Sequence, residues 1–576
     1  MTSTQEVHPL FNPVILGKIF SFLQIQSLKN SRLTCKIWRR AALPYLQKCS
    51  KVLLIRGGKA DRDQFSFRNF LEFVSSLPPD EIPFQHYYLD HWALNEKREK
   101  SLKQFWDICG PSMKILHLSN VIFYEIQTIR NILYYWSPHL ESLRLEDCLF
   151  YTITNENAFQ KVKDELKTED FDEPNLSYDY YDHVTVEQLK DVKMDETISN
   201  ANTSLKELSY DQLEEEEFPL AWEEIFHAFP NIQRLSIGLS TKADQTSKIL
   251  AALDSVRQDS HVMGSISELR FFKNSKTSCK LDLQDSHLYK ISDIMCLPLT
   301  SLNFVVNQSI GLESVANIVR QYSPVLKNLC LHSEEEGQVP LELFNVFKFQ
   351  RFPNLSKLCV CMNVIGGTFN FVTIMPKLTT LHIWLKEEDF SWDTKSMDEA
   401  ILRCLALQHS NPDMTEMSFG YTISASKPVA LLCSWFRHLR VLMMALTDEI
   451  IRVVFRELEH LEEITVFDRY LTDAGITGNP VSLSENSPWS AKSQREFPYI
   501  GDLKKLWKFS LTFRRYENIT DASIYQGFMD VPELSSLLLT RTKIGDRALR
   551  DLSMRSTLIT LVTPTVCKGT ELEYAD

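Results

Sequence analysis

One short pattern constrains this chain more than any other feature. L-x-x-L-x-L, with apolar substitutes, recurs fifteen times. Its middle positions are Leu116, Leu143, Leu208, Leu235, Leu269, Leu302, Leu329, Leu358, Leu381, Met417, Leu442, Ile464, Phe509, Leu537 and Leu561. Two windows extend further, through Leu140, Leu143, Leu145, Cys148 and Phe150, and through Leu355, Leu358, Val360, Asn363 and Ile365. Most spacings between middle positions fall between 22 and 36 residues, and the intervals 143–208 and 464–509 are larger. Apolar residues two apart mark a short strand with one buried edge. Such a strand cannot bury that edge alone, so the units must stack on one another. Segments between them carry helical pattern, as at 315–325 and 401–407, and 542–552 reads as a strand leading into a helix. The fold class expected is α/β, with parallel strands on a concave face and helices outside. The uneven spacing predicts an irregular solenoid.

The first fifty residues follow a different rule. Residues 14–23 are apolar on more than one side: Ile15, Ile19 and Phe22 form one helical row, and Leu16, Phe20 and Leu23 the next. Pro13 suits the first turn, where its missing N–H costs nothing. A second helix carries Leu28 and Leu33. A third carries Cys35, Trp38, Ala42 and Leu46, and Pro44 is expected to end or bend it. A short helix this apolar must be covered on two faces. The pattern alone leaves two readings open, a helical cap on the repeats or a docking module whose surplus apolar surface a partner buries.

The quoted residues carry a resemblance. Asn12-Pro13, Ile19-Phe20-Ser21-Phe22-Leu23 and Cys35-Lys36-Ile37-Trp38-Arg39-Arg40 resemble an F-box, with Asn12 where leucine is usual and Leu33-Thr34 where valine is common before the cysteine. The later repeats resemble leucine-rich repeats, and the whole is similar to the F-box/leucine-rich-repeat family. Expected boundaries are an F-box at 1–50, a linker and cap or degenerate first repeat at 51–110, and the solenoid at 111–576. The resemblance implies a non-catalytic substrate receptor of a Skp–cullin–F-box ubiquitin ligase. It would bind a Skp-type adaptor through Pro13, Ile15, Leu16, Ile19, Phe20, Leu23, Leu28, Leu33, Cys35 and Trp38, some of which must instead hold the helices together. A cullin would join through that adaptor. The rival reading is a leucine-rich-repeat scaffold with a helical cap.

Charge and missing motifs narrow the partners. Asp and Glu number 75 against 62 Lys and Arg, so neither nucleic acid nor an anionic membrane is expected as a main partner. Much of the excess lies in an acidic insertion at about 151–204, where 156–196 holds 13 acidic residues against 5 lysines, and 214–217 adds four more. Residues 1–7 are polar and the apolar stretch after them carries Pro13, Gly17 and Lys18, so no secretory leader is expected. Twelve scattered cysteines then read as free thiols of a reducing compartment, cytoplasmic and/or nuclear.

There is no Gly-x4-Gly-Lys-[Ser/Thr] loop, Gly-x-Ser-x-Gly elbow, His-Glu-x-x-His or Cys-x-x-Cys pair. No enzyme activity, cofactor or metal is therefore expected. Cys359 and Cys361 fall at strand positions, and His86 and His91 read as exposed surface histidines. Target contacts are expected between the strand leucines, at Arg144, Phe272, His332, His382, Trp384 and Phe467. Aromatics and arginine dominate interface energetics, which singles out Trp384 and Phe467.

Overall fold

The computed structural model describes residues 12–23, 25–55, 61–94, 100–123, 126–150, 204–211, 221–239, 244–259, 266–273, 283–295, 297–307, 309–333, 350–361, 375–384, 413–422, 426–467, 471–479, 497–512, 516–540, 542–555 and 560–562. The acidic insertion, the 401–407 segment, Asn363 and Ile365 lie outside them. The chain divides into two units, one of residues 1–282 with 295–298, the other of residues 283–294 with 299–576.

The first unit opens with three helices, α1 (Pro13–Phe20), α2 (Ile25–Arg32) and α3 (Lys36–Cys49). Its strands are β1 (Lys51–Ile55), β2 (His86–Asp90), β3 (Ala93–Leu94), β4 (Ile115–Ser119), β5 (Ile122–Phe123), β6 (Ser142–Glu146), β7 (Leu149–Phe150), β8 (Glu207–Asp211), β9 (Arg234–Leu239) and β10 (Glu268–Lys273). β1, β2, β4, β6, β8, β9 and β10 pair in that order, all parallel. Their register never slips: Val52, Tyr87, Leu116, Leu143, Leu208, Leu235 and Leu269 stand opposite one another, and all are buried. A one-residue slip would turn each of these side chains out of the core, so the leucine spacing itself sets the pairing.

Three repeats of this unit share a second device. β3, β5 and β7 form a short parallel side ladder. Each is separated from the preceding main strand by a turn whose first residue has positive φ: His91 at 58°, Asn120 at 51° and Asp147 at 53°. Asn, Asp and His tolerate this left-handed region better than other side-chain-bearing residues. Their amides stay paired across the stack, His91 N–H to Ser119 O, Asn120 N–H to Glu146 O and Asp147 N–H to Asp211 O, at 2.9–3.0 Å.

The second unit continues the same architecture in β11 (Ser301–Val306), β12 (Asn328–Ser333), β13 (Lys357–Cys361), β14 (Thr380–Trp384), β15 (Glu416–Thr422), β16 (Val441–Ala445), β17 (Glu463–Val466), β18 (Lys508–Leu511), β19 (Tyr516–Thr520), β20 (Ser536–Leu539), β21 (Thr542–Lys543) and β22 (Thr560–Val562). All but β19 and β21, which pair with each other, form a parallel ladder in chain order. Helical return segments include Leu312–Tyr322 and Asp448–Glu457. The mixed α/β class with stacked parallel strands is the one the sequence predicts. No helix among the described residues is long and apolar enough to cross a membrane.

Carboxylates tie consecutive repeats of this unit together. Thr447, Thr472 and Thr520 each cap the helix that follows, accepting an amide N–H of its first turn. The next residue, Asp448, Asp473 or Asp521, opens that helix and reaches forward to the following repeat. Asp448 accepts the Thr472 amide at 2.8 Å and its hydroxyl at 2.5 Å. Asp473 accepts the Thr520 amide and hydroxyl at 2.9 and 2.6 Å, and both groups of Ser523. Asp521 accepts the Gly545 amide at 2.6 Å. Gly475 makes room for this tie, because a Cβ there would collide with the Asp448 carboxylate. A carboxylate at a helix start is also favoured by the helix dipole.

Asp473 is 4% exposed, so its donors have no water to replace it. Asp473→Ala is expected to cost about 3 kcal/mol, because several donors to a charged acceptor are orphaned together. Hydrogen exchange checks this locally. Amides 516–526 should lose protection while those of β11 and β12 keep theirs, and unchanged protection at 516–526 would refute the tie.

Candidate functional site

The three helices meet around Leu16, Phe20, Leu28, Ala42 and Leu46, with Leu23, Trp38, Ala41 and Tyr45 packed against them. Phe20 meets Trp38 edge to face at 5.5 Å. Asn12, the departure from the usual leucine, is the N-cap of α1: its Oδ1 accepts the Val14 amide at 2.9 Å. Pro13 occupies the first turn, as its fixed φ favours. Gly17 allows the helices to close, since a Cβ there would stand 3.2 Å from the Tyr45 hydroxyl.

Three boundaries differ from the sequence expectation. α2 ends at Arg32, which puts Leu33 in the turn beyond it, and Cys35 caps α3 from outside. α3 runs through Pro44 to Cys49 rather than stopping there. Leu46 near its end belongs to the core of the helical unit, and the bond from Gln47 Nε2 to Ile82 O at 2.9 Å ties this end to the segment before β2.

Nine of the ten residues expected to meet an adaptor separate by burial; the Pro13 side chain lies outside the described residues. Leu16, Phe20 and Leu28 are buried in the core of the unit, Leu23, Cys35 and Trp38 are half-buried, and Ile15, Ile19 and Leu33 are exposed. Sequence reasoning did not single out Val14, Phe22, Ile25 and Ile37, which are exposed too. Val14 at 80%, Phe22 at 75% and Leu33 at 81% leave apolar side chains almost wholly in water. Exposed apolar side chains this numerous within 24 residues make the unit a candidate docking surface.

The unit is fixed to the repeats by polar ties. Arg32 Nη2 donates to Glu81 O at 3.0 Å, and Arg39 pairs with the Glu81 carboxylate at 3.5 Å. Between α3 and the starts of the first strands lies a cleft of about 420 Å³, bordered by Lys48, His86, Lys114, Glu141, Lys206 and Arg234 among others. Most of its cations are matched. Glu141 bridges Lys114 and Lys206, each at 3.3 Å, and Arg234 pairs with Glu207 at 2.7 Å. Burial raises the Glu141 carboxyl, but the two lysines outweigh it and hold it below its ordinary range. The cleft is therefore a charge-matched seam between repeats.

The strand face opposite the leucines presents the first, third and fifth residue of each strand. In the first unit it begins with exposed Leu53 and Ile55 and continues through Tyr88, His117 and Arg144. Tyr88 meets the His117 ring edge to face at 4.5 Å. Glu146 joins His117 at 2.9 Å and Arg144 at 3.1 Å. Phe272, half-buried, lies under the Arg270 guanidinium at 5.1 Å.

In the second unit His382 stands 3.0 Å from Glu416, and half-buried Phe467 follows β17. His332 and Trp384 fall at the fifth positions of β12 and β14, and their side chains lie outside the described residues. Five of the six expected target residues thus lie on four strands, β6, β10, β12 and β14, the last carrying both His382 and Trp384, and Phe467 follows β17. Leu53, Ile55 and Tyr88 were not among the expected contacts, because 51–110 was read as a linker and cap or degenerate first repeat and target contacts were sought only from residue 111 onward. His86 is half-buried at the start of β2 rather than exposed.

Residues 10–43 match the F-box domain family model. No curated protein matches the chain. Among solved structures it is similar to the crystal structure of the Rad7 and Elc1 complex of yeast, at 13% identity over 62% of this chain and 80% of that one, with a TM-score of 0.40. It is also similar to a protein from Bacteroides fragilis, at 12% identity over 61% of this chain and 74% of that one, with a TM-score of 0.23.

Burial holds the His117 imidazole below its ordinary value, Arg144 adds to this, and Glu146 offsets part of it. Burial lowers His86 as well, helped by Lys51 and Lys114. Both are thus harder to protonate folded than unfolded. Their contribution is intact above about pH 6.5, where the unfolded histidines are neutral too, and is lost as pH falls below it. The first unit should therefore melt lower at pH 5.5 than at pH 7.5, by less in His117→Gln. An equal drop in both chains by thermal unfolding would count against a neutral His117.

Proposed function

We propose that this chain is a non-catalytic substrate-recognition subunit of a Skp–cullin–F-box ubiquitin ligase. The helical unit docks on a Skp-type adaptor that links to a cullin, and the strand face, read as that of a leucine-rich-repeat solenoid, holds a target protein. The observation that carries this reading is the division of apolar side chains in α1–α3. Leu16, Phe20, Leu28, Ala42 and Leu46 suffice for an internal core, yet Val14, Ile15, Ile19, Phe22, Ile25, Leu33 and Ile37 remain exposed. A mere cap would turn its surplus apolar residues toward the repeats it covers. The F-box match at 10–43 covers all of these residues but Leu46.

The mechanism is proximity. A target held on the repeats is brought near a ubiquitin-loaded enzyme, which raises its effective concentration without chemistry by this chain. The polar ties of Arg32, Arg39 and Gln47 support a fixed joint between the docking unit and the first repeats. Target contacts are assigned to Arg144, Phe272, His332, His382, Trp384 and Phe467, joined by Leu53, Ile55 and Tyr88. A ligase subunit of this kind would work in the cytoplasm and/or nucleus.

Co-purification with a Skp-type adaptor tests the reading. Ile19→Asp and Leu33→Asp place a charge on exposed positions, so the chain should stay folded while adaptor affinity falls by about 30-fold or more, as for a hot-spot residue. Leu16→Asp should instead melt the helical unit. Failure of the folded intact chain to bind would leave the scaffold reading in its place.

A further inference from the structure

The second unit carries a side-chain cluster that target capture does not require. Cys330, the third residue of β12, is directly opposite Cys359, the third of β13, and Cys359 is directly opposite His382 of β14. All three share the strand face opposite the core. Neither cysteine is in a disulfide, and a side-chain hydrogen bond from Cys330 acts on Cys359. Parallel neighbours lie about 4.8 Å apart, and a disulfide spans Cα separations of about 4.4–6.8 Å. The register thus brings the Cα atoms of the pair within the span of a disulfide.

Its electrostatic setting differs from that of the other buried thiols. The bond from Cys330 is the largest influence on Cys359 and lowers it to about 7, against burial; His382 and Lys357 assist and Glu416 opposes. Burial instead pushes Cys109 up to about 11, and Cys148 and Cys433 up to about 12. Those three are inert thiols, because the thiolate is the nucleophile. Cys359 is 7% exposed and Cys330 half-buried.

We propose that Cys330 and Cys359 form a peroxide-sensitive thiol pair that closes to a disulfide across β12 and β13. The Cys359 thiolate attacks one oxygen of a hydroperoxide. The O–O bond breaks, the other oxygen leaves as an alcohol or water after taking up a proton, and Cys359 becomes a sulfenic acid. The Cys330 sulfur then attacks the Cys359 sulfur. The S–O bond breaks, and the hydroxyl leaves as water with the Cys330 proton. Two thiols and one hydroperoxide give one disulfide, one alcohol or water, and one water. The chemistry goes beyond the ligase reading and does not depend on it. If that reading holds, the disulfide forms beside His382 on the target face.

The test uses the full chain and hydrogen peroxide, with peptide mapping under non-reducing conditions. The expected result is a reducible Cys330–Cys359 linked peptide, with Cys359 oxidised at least about tenfold faster than Cys433 or Cys148. In Cys330→Ser, Cys359 should stop as a sulfenic acid trapped by a cyclic 1,3-dione. Absence of the linked peptide while exposed Cys49 is oxidised would overturn the proposal. So would oxidation of Cys359 no faster than that of Cys433 in the unsubstituted chain, a readout that needs no variant to fold.

Discussion

Each strand of this protein buries its second and fourth side chains only because its neighbours do the same. Five residues make too little apolar surface to hold a strand against the entropy of ordering it. Stacked in register, Leu116, Leu143, Leu208 and Leu235 each cover the next, and the core becomes continuous along the ladder. The other features serve this arrangement. The positive-φ turns after β2, β4 and β6 keep the amides paired as the chain leaves the ladder. The Glu141 and Glu207 pairs match charges at strand starts, and the Asp448, Asp473 and Asp521 carboxylates repeat the coupling at the helix starts.

This dependence explains how much of the fold could be read from the chain. All fifteen middle positions of the L-x-x-L-x-L pattern are second residues of strands, because that position is the most deeply buried and tolerates little but leucine-sized side chains. β2 escaped, since Phe84, Tyr87 and Leu89 keep the phase with aromatics. The Thr-Asp ties escaped for another reason. Thr-Asp before an apolar run signals a helix start, but nothing local in the sequence shows that the carboxylate reaches the next repeat, 24 or 47 residues on.

The candidate docking surface was only partly legible, again for a physical reason. Helical periodicity groups Ile15 with Ile19 and Leu16 with Phe20, but both rows are apolar, so the pattern does not say which one faces inward. That choice belongs to α3. Trp38, Ala42 and Leu46 present one face, and it is the Leu16 and Phe20 row that packs on it. Leu33 was assigned to a helix, whereas the structure ends α2 at Arg32 and turns Leu33 outward. Its exposure follows from a chain reversal that no periodicity records.

The two proposed tasks, docking and capture, place opposite demands on the chain. An adaptor contact needs apolar side chains held in water at known positions, and a small core with rigid neighbours can hold them. A target face needs polar variety, which parallel strands provide at their outward positions without disturbing the core. The first unit contains both arrangements. Between them lie short-range polar bonds, Arg32 and Gln47 to the carbonyls of Glu81 and Ile82. Hydrogen bonds fix direction more strictly than hydrophobic burial does, because they weaken steeply with angle. A joint made this way holds orientation while leaving the apolar surface of the helices uncovered, and that uncovered surface is what a docking unit requires.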